Sequence, residues 1–488
     1  MAVPRHNAFM LLDADQCYKA LVAHDARFDG RFFVGVGSTG IYCRPVCSAK
    51  TPNRDRCRFF SSAAAAESSG FRPCLRCRPE LAPGNASVDA NARLAQSVAS
   101  LIEDGRLEED SVARLAGRLG VTDRHVRRVF QHEFGVSPIA FAQTHRLLLA
   151  KRLLTDTRLS ITETAFASGF ASVRRFNDLF SARYRLTPSE LRKSRLAARK
   201  GDRLSFELGY RPPYDWAALL AFLARRTIAG VEGVSGRCYR RSIRIVQGAQ
   251  TRTGWLEARP AENKHALRID VSASLAHCIP SLLARAKRAF DLNADPSEIG
   301  AALGGLAVPH PGLRLPGGFD GFELAVRAIL GQQITVRAAT TIAGRFAAAF
   351  GEPIATPLPD VTHVFPAANA IARLVPAEIA RLGITSSRAG ALIAVARAID
   401  GGTLDLGTGA DVDAALATLE SLPGVGPWTA QYVAMRALSW PDAFPHPDVA
   451  LLKALDMKPA AALRHAERWR PWRAYAVIHL WKSLESTP

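Results

Sequence analysis

The chain has 488 residues, with 63 Lys and Arg against 44 Asp and Glu and a formal charge of +19. At roughly 100–200 residues per domain that length predicts about three to five domains, and the basic balance points to a polyanionic partner, nucleic acid or an acidic membrane. A 48% hydrophobic share excludes a disordered chain, no apolar run reaches the ~18 residues of a membrane span, and MAVPRHNAFMLLDADQ has no secretion-signal core, so a cytoplasmic protein with reduced thiols is expected.

Residues 1–82 hold six of the eight cysteines, and none follows Cys278. Cys43 and Cys47 stand in YCRPVC, Cys74 and Cys77 in RPCLRC. Two close pairs separated by a loop suit one tetrahedral Zn²⁺ held by four thiolates. On spacing alone a purely structural zinc module fits as well. Arg44, Arg54, Arg56, Arg58, Arg72, Arg76 and Arg78 crowd the same segment and are phosphate-binding side chains. A zinc-bound thiolate is also a nucleophile held deprotonated at neutral pH. Cys17 and Cys57 lie outside the pattern and read as ordinary buried thiols.

The stretch DARFDGRFFVGVGSTGIYCRPVCSAKTPNR…FRPCLRCRPE resembles the N-terminal domain of the Ada family of alkylation-response proteins, over roughly residues 10–82. The resemblance implies that Cys43, Cys47, Cys74 and Cys77 bind zinc. It also implies that Cys43 accepts a methyl group irreversibly from a methylphosphotriester in DNA. The charge logic stands without the family. Four thiolates on Zn²⁺ form a dianion, which can approach a neutral phosphotriester but is repelled by an ordinary phosphate. Methylation removes one negative charge beside DNA and strengthens binding.

APGNAS at 82–87 reads as a break. Residues 88–195 follow, with helix-period spacing. Ser111 to Gly120 reads as a helix ending at glycine, and Val121-Thr122-Asp123 as the cap of RHVRRVFQHEFG. Ser160 to Phe170, then ASVRRFNDLF, repeats the pattern about 50 residues later, with Asp123 and Thr162 at expected cap positions. One such unit fits a helical hairpin in a core as well as a DNA reader. Two in tandem, in a segment of charge +8 (residues 81–200), favour DNA. The stretch 90–195 resembles the AraC-family DNA-binding domain, with FGVSP at 134–138 and YRLTP at 184–188. That resemblance implies groove-facing side chains on 122–132 and 172–183, namely Arg124, Arg127, Arg128, Arg174 and Arg175.

The basic run RKSRLAARKGDR at 192–203 reads as a linker. Residues 203–299 mix alternating stretches, SIRIVQGA and HALRIDVSA, with helix-like pieces, and predict a small α+β domain. Residues 300–488 turn helical and carry only +1, so DNA contact there needs something besides bulk charge. LPGVGPWTA offers it: Gly424 and Gly426 let backbone N–H groups approach a phosphate at a helix N-terminus. A plain αα corner fits the same residues. Asp448 lies 24 residues beyond Gly424 and fits a helix N-cap as well as a catalytic carboxylate.

RAILGQQITVRAA at 327–339, LPGVGPWTAQYVAMRAL and RPWRAYAVIHLW at 470–481 resemble the helix-hairpin-helix DNA glycosylases, and within them the AlkA-type 3-methyladenine branch, over 204–482. The resemblance implies that Asp448 is the catalytic carboxylate and that Trp428, Tyr432 and Trp472 form an aromatic pocket. Such a cleft suits alkylated purines, whose cationic rings reward stacking; Tyr432 also fits a core position. Three departures matter. Trp428 stands where strand-cleaving relatives carry a lysine, so a monofunctional hydrolase is expected. Gln333 stands where that branch has an apolar wedge. The Pro-Cys-His-Arg motif of the alkylguanine methyltransferase that Ada proteins often carry is absent, so direct O6-guanine repair is not expected.

The expected fold is therefore multidomain and mainly α with α+β parts: a zinc-bound α+β module at 1–82, a tandem helix-turn-helix domain at 88–195, a small α+β domain at 203–299 and an all-α helix-hairpin-helix glycosylase domain at 300–488. The expected cofactor is Zn²⁺. The expected partners are double-stranded DNA, alkylated and promoter, and RNA polymerase, with no membrane and a monomeric chain. The alternative is a transcriptional regulator whose glycosylase-like half is a non-catalytic DNA-binding module.

Overall fold

The computed structural model describes residues 13–83, 90–105, 107, 111–193, 203–247 and 250–485. The expected linkers, at 82–87 and 192–203, lie largely outside the described residues. The chain divides into two compact units: one runs to Pro212 and includes Ile279–Ala284 and Leu292–Ala294, and the other comprises Pro213–Cys278, Arg285–Asp291 and the residues from Asp295 on.

The first unit begins with α1 (Ala14–Val22), followed by β1 (Phe33–Val36), β2 (Ile41–Cys43), β3 (Cys57–Phe60), α2 (Ala63–Ser68) and β4 (Arg72–Pro73). The strands form one sheet in the order β3-β1-β2-β4. β1 pairs antiparallel with β2 and β3, and β4 runs parallel to β2, with Tyr42 opposite Pro73. That parallel step continues as Cys74 N–H donates to Tyr42 O at 3.0 Å, so the register brings the second cysteine pair beside the end of β2. Cys17 and Cys57 are buried.

Among the described residues the helices that follow are α3 (Ala90–Glu103), α4 (Val112–Arg118), α5 (Asp123–Phe134), α6 (Pro138–Asp156), α7 (Ile161–Ala167), α8 (Val173–Tyr184) and α9 (Pro188–Lys193). The repeat of about 50 residues has a local cause. Each unit turns at a left-handed glycine, Gly120 or Gly169, and each second helix ends on a left-handed residue, Gly135 or Arg185. The caps sit beside the expected ones. Thr122, not Asp123, accepts from His125 N–H, because its hydroxyl is the one that precedes helical backbone. Ser160, not Thr162, caps α7 in a reciprocal box with Glu163. Each repeat has its own core: Leu115, Val126 and Phe130 in one, Phe170, Phe176 and Phe180 in the other. The long α6 serves both, giving Ala142 to the first and Leu147, Ala150 and Leu154 to the second. The unit closes with β5 (Arg203–Gly209).

In the second unit α10 (Trp216–Ala224) precedes β6 (Glu232–Ser235), β7 (Cys238–Gln247), β8 (Gln250–Pro260) and β9 (Ala266–Ser272), which pair antiparallel in sequence order. The alternating stretches are thus strands β7 and β9. The rest is helical apart from one two-stranded ribbon. Its centre is α11 (Gly321–Leu330), buried on nearly every side and apolar apart from Glu323 and Arg327. Against it lie α12 (Val336–Phe350), α13 (Ser386–Asp400) and α15 (Pro427–Arg436), the last forming a hairpin with α14 (Val412–Ser421). α16 (Val449–Leu455) and α17 (Arg473–Glu485) pair beside them. Among the described residues no helix is long and apolar enough to cross a membrane.

Candidate functional site

The first site is built by the parallel β2/β4 step. The Sγ atoms of Cys43, Cys47, Cys74 and Cys77 all lie within 4.8 Å of one another. Tetrahedral zinc with Zn–S near 2.3 Å needs sulfurs about 3.8 Å apart, so the donor set fits one Zn²⁺. Backbone amides surround it unequally. Arg44 N–H donates to Cys77 Sγ at 3.4 Å and Arg76 N–H to Cys74 Sγ at 3.3 Å. Among the described residues Cys43 Sγ receives no backbone N–H. Arg44 is drawn inward: its Nε donates to Asp29 Oδ1 at 2.8 Å and its Nη1 to Cys77 O at 3.1 Å. That arginine braces the cysteine loops and does not face solvent. Arg56, Arg58, Arg72 and Arg76 remain at or near the surface.

The candidate DNA-reading side chains divide cleanly. On α5, Val126, Val129 and Phe130 face the core, while Arg124, Arg127 and Arg128 are exposed. On α8, Phe176 and Phe180 are buried, while Arg174 and Arg175 are exposed. Arg127 lies 3.6 Å from Asp123 and Arg128 3.0 Å from His125.

The second site is an open cleft of about 1670 Å³ in the second unit. Gly424, Gly426, Trp428, Tyr432, Asp448 and Gln333 all line it. Gly424 has φ +77°, and a Cβ there would meet Ala391 Cβ at 3.0 Å, so the tight hairpin requires glycine. Asp448 caps α16, its Oδ1 accepting from Leu451 N–H at 2.9 Å. It does more than cap. Trp428 Nε1–H donates to Oδ2 at 2.9 Å, and Trp481 Nε1–H donates to Oδ1 at 3.0 Å. Trp428 stacks on Tyr432 with centroids 5.2 Å apart, and Trp481 approaches Tyr432 at 6.4 Å.

Trp472 is elsewhere. It is 4% exposed, packs edge-on against Tyr475, and is not part of the cleft wall. Trp481, which the sequence reading passed over, takes the third aromatic place. The two tryptophans are nine residues apart, which at about 100° per residue turns them to opposite sides of a helix. Gln333 is exposed at the rim with φ +55°. Its neighbour Gln332 is pinned instead, donating from Nε2 to Gly424 O and to Thr429 Oγ1, both at 2.9 Å. Below Tyr432, Arg436 Nη1 donates to the phenolic oxygen at 2.8 Å. Burial pushes the Tyr432 phenol up, but Arg436 and Arg226 more than offset it and the net direction is down.

Four family profiles match the chain: the metal binding domain of Ada over 16–80, a helix-turn-helix domain over 115–194, the AlkA N-terminal domain over 205–320, and the HhH-GPD superfamily of base excision DNA repair proteins over 326–460. A protein of Mycobacterium tuberculosis described as a probable bifunctional transcriptional activator/DNA repair enzyme AlkA is 38% identical over 490 residues, 97% of either chain. The chain belongs to the AlkA family of bifunctional transcriptional activator/DNA repair proteins. Parts of this AlkA-type chain match shorter relatives. The Escherichia coli DNA-3-methyladenine glycosylase 2 is 40% identical over 278 residues, 57% of this chain and 96% of that one. The Escherichia coli bifunctional activator/repair enzyme Ada is 31% identical over 159 residues, 33% of this chain and 43% of that one.

Proposed function

We propose that the chain joins two DNA-repair chemistries, a stoichiometric methyl acceptor at Cys43 and a monofunctional glycosylase at Asp448, in four modules, 1–82, 88–195, 203–299 and 300–488. When bound, zinc keeps the four sulfurs deprotonated. Cys74 and Cys77 are damped by N–H donors and Cys43 is not, which leaves its sulfur the better nucleophile. Its sulfur takes the methyl carbon of a methylphosphotriester, and the phosphate oxygen keeps the bonding pair and becomes an ordinary anion. Arg124, Arg127, Arg128, Arg174 and Arg175 then hold promoter DNA. A promoter-bound activator needs RNA polymerase as its further partner, in the cytoplasm; a monomeric chain suffices for both chemistries.

In the cleft, Gly424 and Gly426 offer backbone to a phosphate and Gln333 stands where a wedge would fill the vacated stack. The flipped base lies against Trp428 and Tyr432, with Trp481 beside them. Asp448 faces the sugar, where breaking the glycosidic bond builds positive charge. Trp428 occupies the position a Schiff-base lysine would need, so hydrolysis stops at the abasic site. The observation that carries the reading is the Asp448 carboxylate held by two indole N–H donors on the wall of the aromatic cleft. Asp448→Asn should release 3-methyladenine from DNA roughly 10²-fold more slowly or worse while still binding DNA, on the scale of one removed electrostatic group. Release at the wild-type rate would reduce Asp448 to a helix cap; no release by the wild-type chain would favour a non-catalytic binding module.

A further inference from the structure

Beneath the cleft lies a buried cluster of charge that the reaction as described does not use. Arg241 Nη2 meets Glu323 Oε2 at 2.5 Å, and Arg327 Nη2 meets Glu232 at 2.6 Å and Glu323 at 2.7 Å. Those two guanidiniums and two carboxylates neutralise one another. Arg226 and Arg436 are different. Among the described residues neither has a carboxylate partner. Arg436 is 4% exposed and gives its donors to Pro316 O, Gly317 O and the Tyr432 hydroxyl. Arg226 lines the cleft, donates to Phe222 O at 3.3 Å, and lies 3.7 Å over the Phe222 ring. The cleft wall therefore runs from a carboxylate at Asp448, through the stacked Trp428 and Tyr432 rings, to two uncompensated guanidiniums.

We infer that Arg226, acting with Arg436 around the Tyr432 hydroxyl, is a specificity-determining residue that favours uncharged damaged purines over cationic ones. The inference rests on the glycosylase reading above. With the sugar at Asp448, the far edge of a stacked base lies toward Tyr432 and the guanidinium pair. When the C1′–N9 bond breaks, its electrons go to the base, water supplies hydroxide to C1′, and the water's second proton leaves to Asp448 or solvent. A cationic alkylpurine departs neutral. An uncharged purine, such as hypoxanthine, departs as an anion and takes a proton from solvent afterwards. The charge on the base changes by one unit in either case, so the difference appears in kcat/KM, which compares the transition state with free enzyme and free substrate. For the cationic base that transition state carries little charge and gains little from Arg226. For the uncharged base it is anionic, in a partly desolvated site where a nearby cation counts for more than in water.

The test is a competition between hypoxanthine-containing and 7-methylguanine-containing duplexes with the full-length chain. Arg226→Met, which keeps length and removes charge, should lower the hypoxanthine to 7-methylguanine kcat/KM ratio at least tenfold. Arg226→Lys, which restores charge, should bring it back to within about threefold of wild type. Should the Met variant fail to fold by circular dichroism, Arg226→Gln takes its place. A ratio that does not move, or a Lys variant that behaves like Met, overturns the inference, since a merely structural residue lowers both rates together. Release of neither base by the wild-type chain would instead sink the glycosylase reading on which the inference stands.

Discussion

Asp448 accepts three N–H donors, and that inventory changes what an amide there would do. Asparagine can accept only through its Oδ1, and its NH₂ must then face an indole N–H. Leaving that donor without an acceptor costs about 1–3 kcal/mol. Asp448→Asn should therefore lower Tm as well as base release. With its oxygen kept on Leu451 N–H and Trp481, the amide's NH₂ faces Trp428 Nε1, so adding Trp428→Phe removes the orphaned donor and keeps an aromatic ring. The double variant should recover most of the lost Tm in thermal unfolding and none of the lost base release. If stability does not recover, Trp428 Nε1 is not what the amide offends. Asp448, Trp428 and Tyr432 were legible through the resemblance to the helix-hairpin-helix glycosylases that the LPGVG turn carries. It pointed to Trp472 and not to Trp481, since α17 is buried on nearly every face along Arg473–Leu480 and offers no polar stripe to orient it. Arg226 was equally silent, because nothing local marks an arginine whose carboxylate partner is missing.

At the scale of elements, α6 connects the halves of the helix-turn-helix region and also grips the cysteine module within the first unit. Lys151, 2% exposed, donates from Nζ to Glu80 Oε2 at 2.8 Å and to Cys74 O at 3.3 Å. Thr144 Oγ1 donates to Glu67 Oε2 at 3.2 Å, and Tyr42 OH donates to Glu67 Oε1 at 3.0 Å. Lys151→Met keeps the stem and removes the charge, leaving Glu80 with Arg78 alone at 3.0 Å. The cost should be about 3 kcal/mol, near the low end for breaking a buried pair, and visible in urea unfolding of the full chain. Glu67 gives a pH signature. Burial raises its pKa from 4.5 to about 7, Arg183 offsetting only part. A carboxyl raised in the folded state stabilises most below its unfolded pKa, and that contribution fades as pH climbs through about 7. Glu67→Gln mimics the neutral form. It should therefore flatten the Tm-versus-pH curve between pH 5 and 8 and raise stability at pH 8 by roughly 2 kcal/mol. An unchanged slope would mean that Glu67 stays ionised beside Arg183. None of this contact was legible from spacing, because it joins residues about 70 positions apart on different elements.

For the molecule as a whole, charge and motif tell different stories about how DNA is held. Nearly all of the +19 lies before residue 300, where the exposed arginines of α5 and α8 and the cysteine module stand. The helical remainder is near neutral, and there the proposed DNA contacts are a glycine hairpin and an aromatic cleft. Composition and motif spacing disclosed this division, since zinc pairs, capped helical repeats and the hairpin are local signals. The proposed switch depends on charge at the cysteine module. With zinc bound, the four sulfurs make a dianion next to DNA; methylation at Cys43 leaves a monoanion. Losing one negative charge near a phosphate should tighten promoter binding by about 1–2 kcal/mol at low salt. The screening length shrinks from about 30 Å at 0.01 M salt to about 10 Å at 0.1 M. The advantage of the methylated chain should therefore narrow as salt rises, while binding itself also weakens. Titrating promoter DNA before and after exposure to methylphosphotriester DNA, at two salt concentrations, measures both effects. Cys43→Ser, given the same exposure, should show no gain at either. Equal affinities for methylated and unmethylated wild type would mean that Cys43 repairs without signalling; a gain that ignores salt would mean that the switch works by shape rather than by charge.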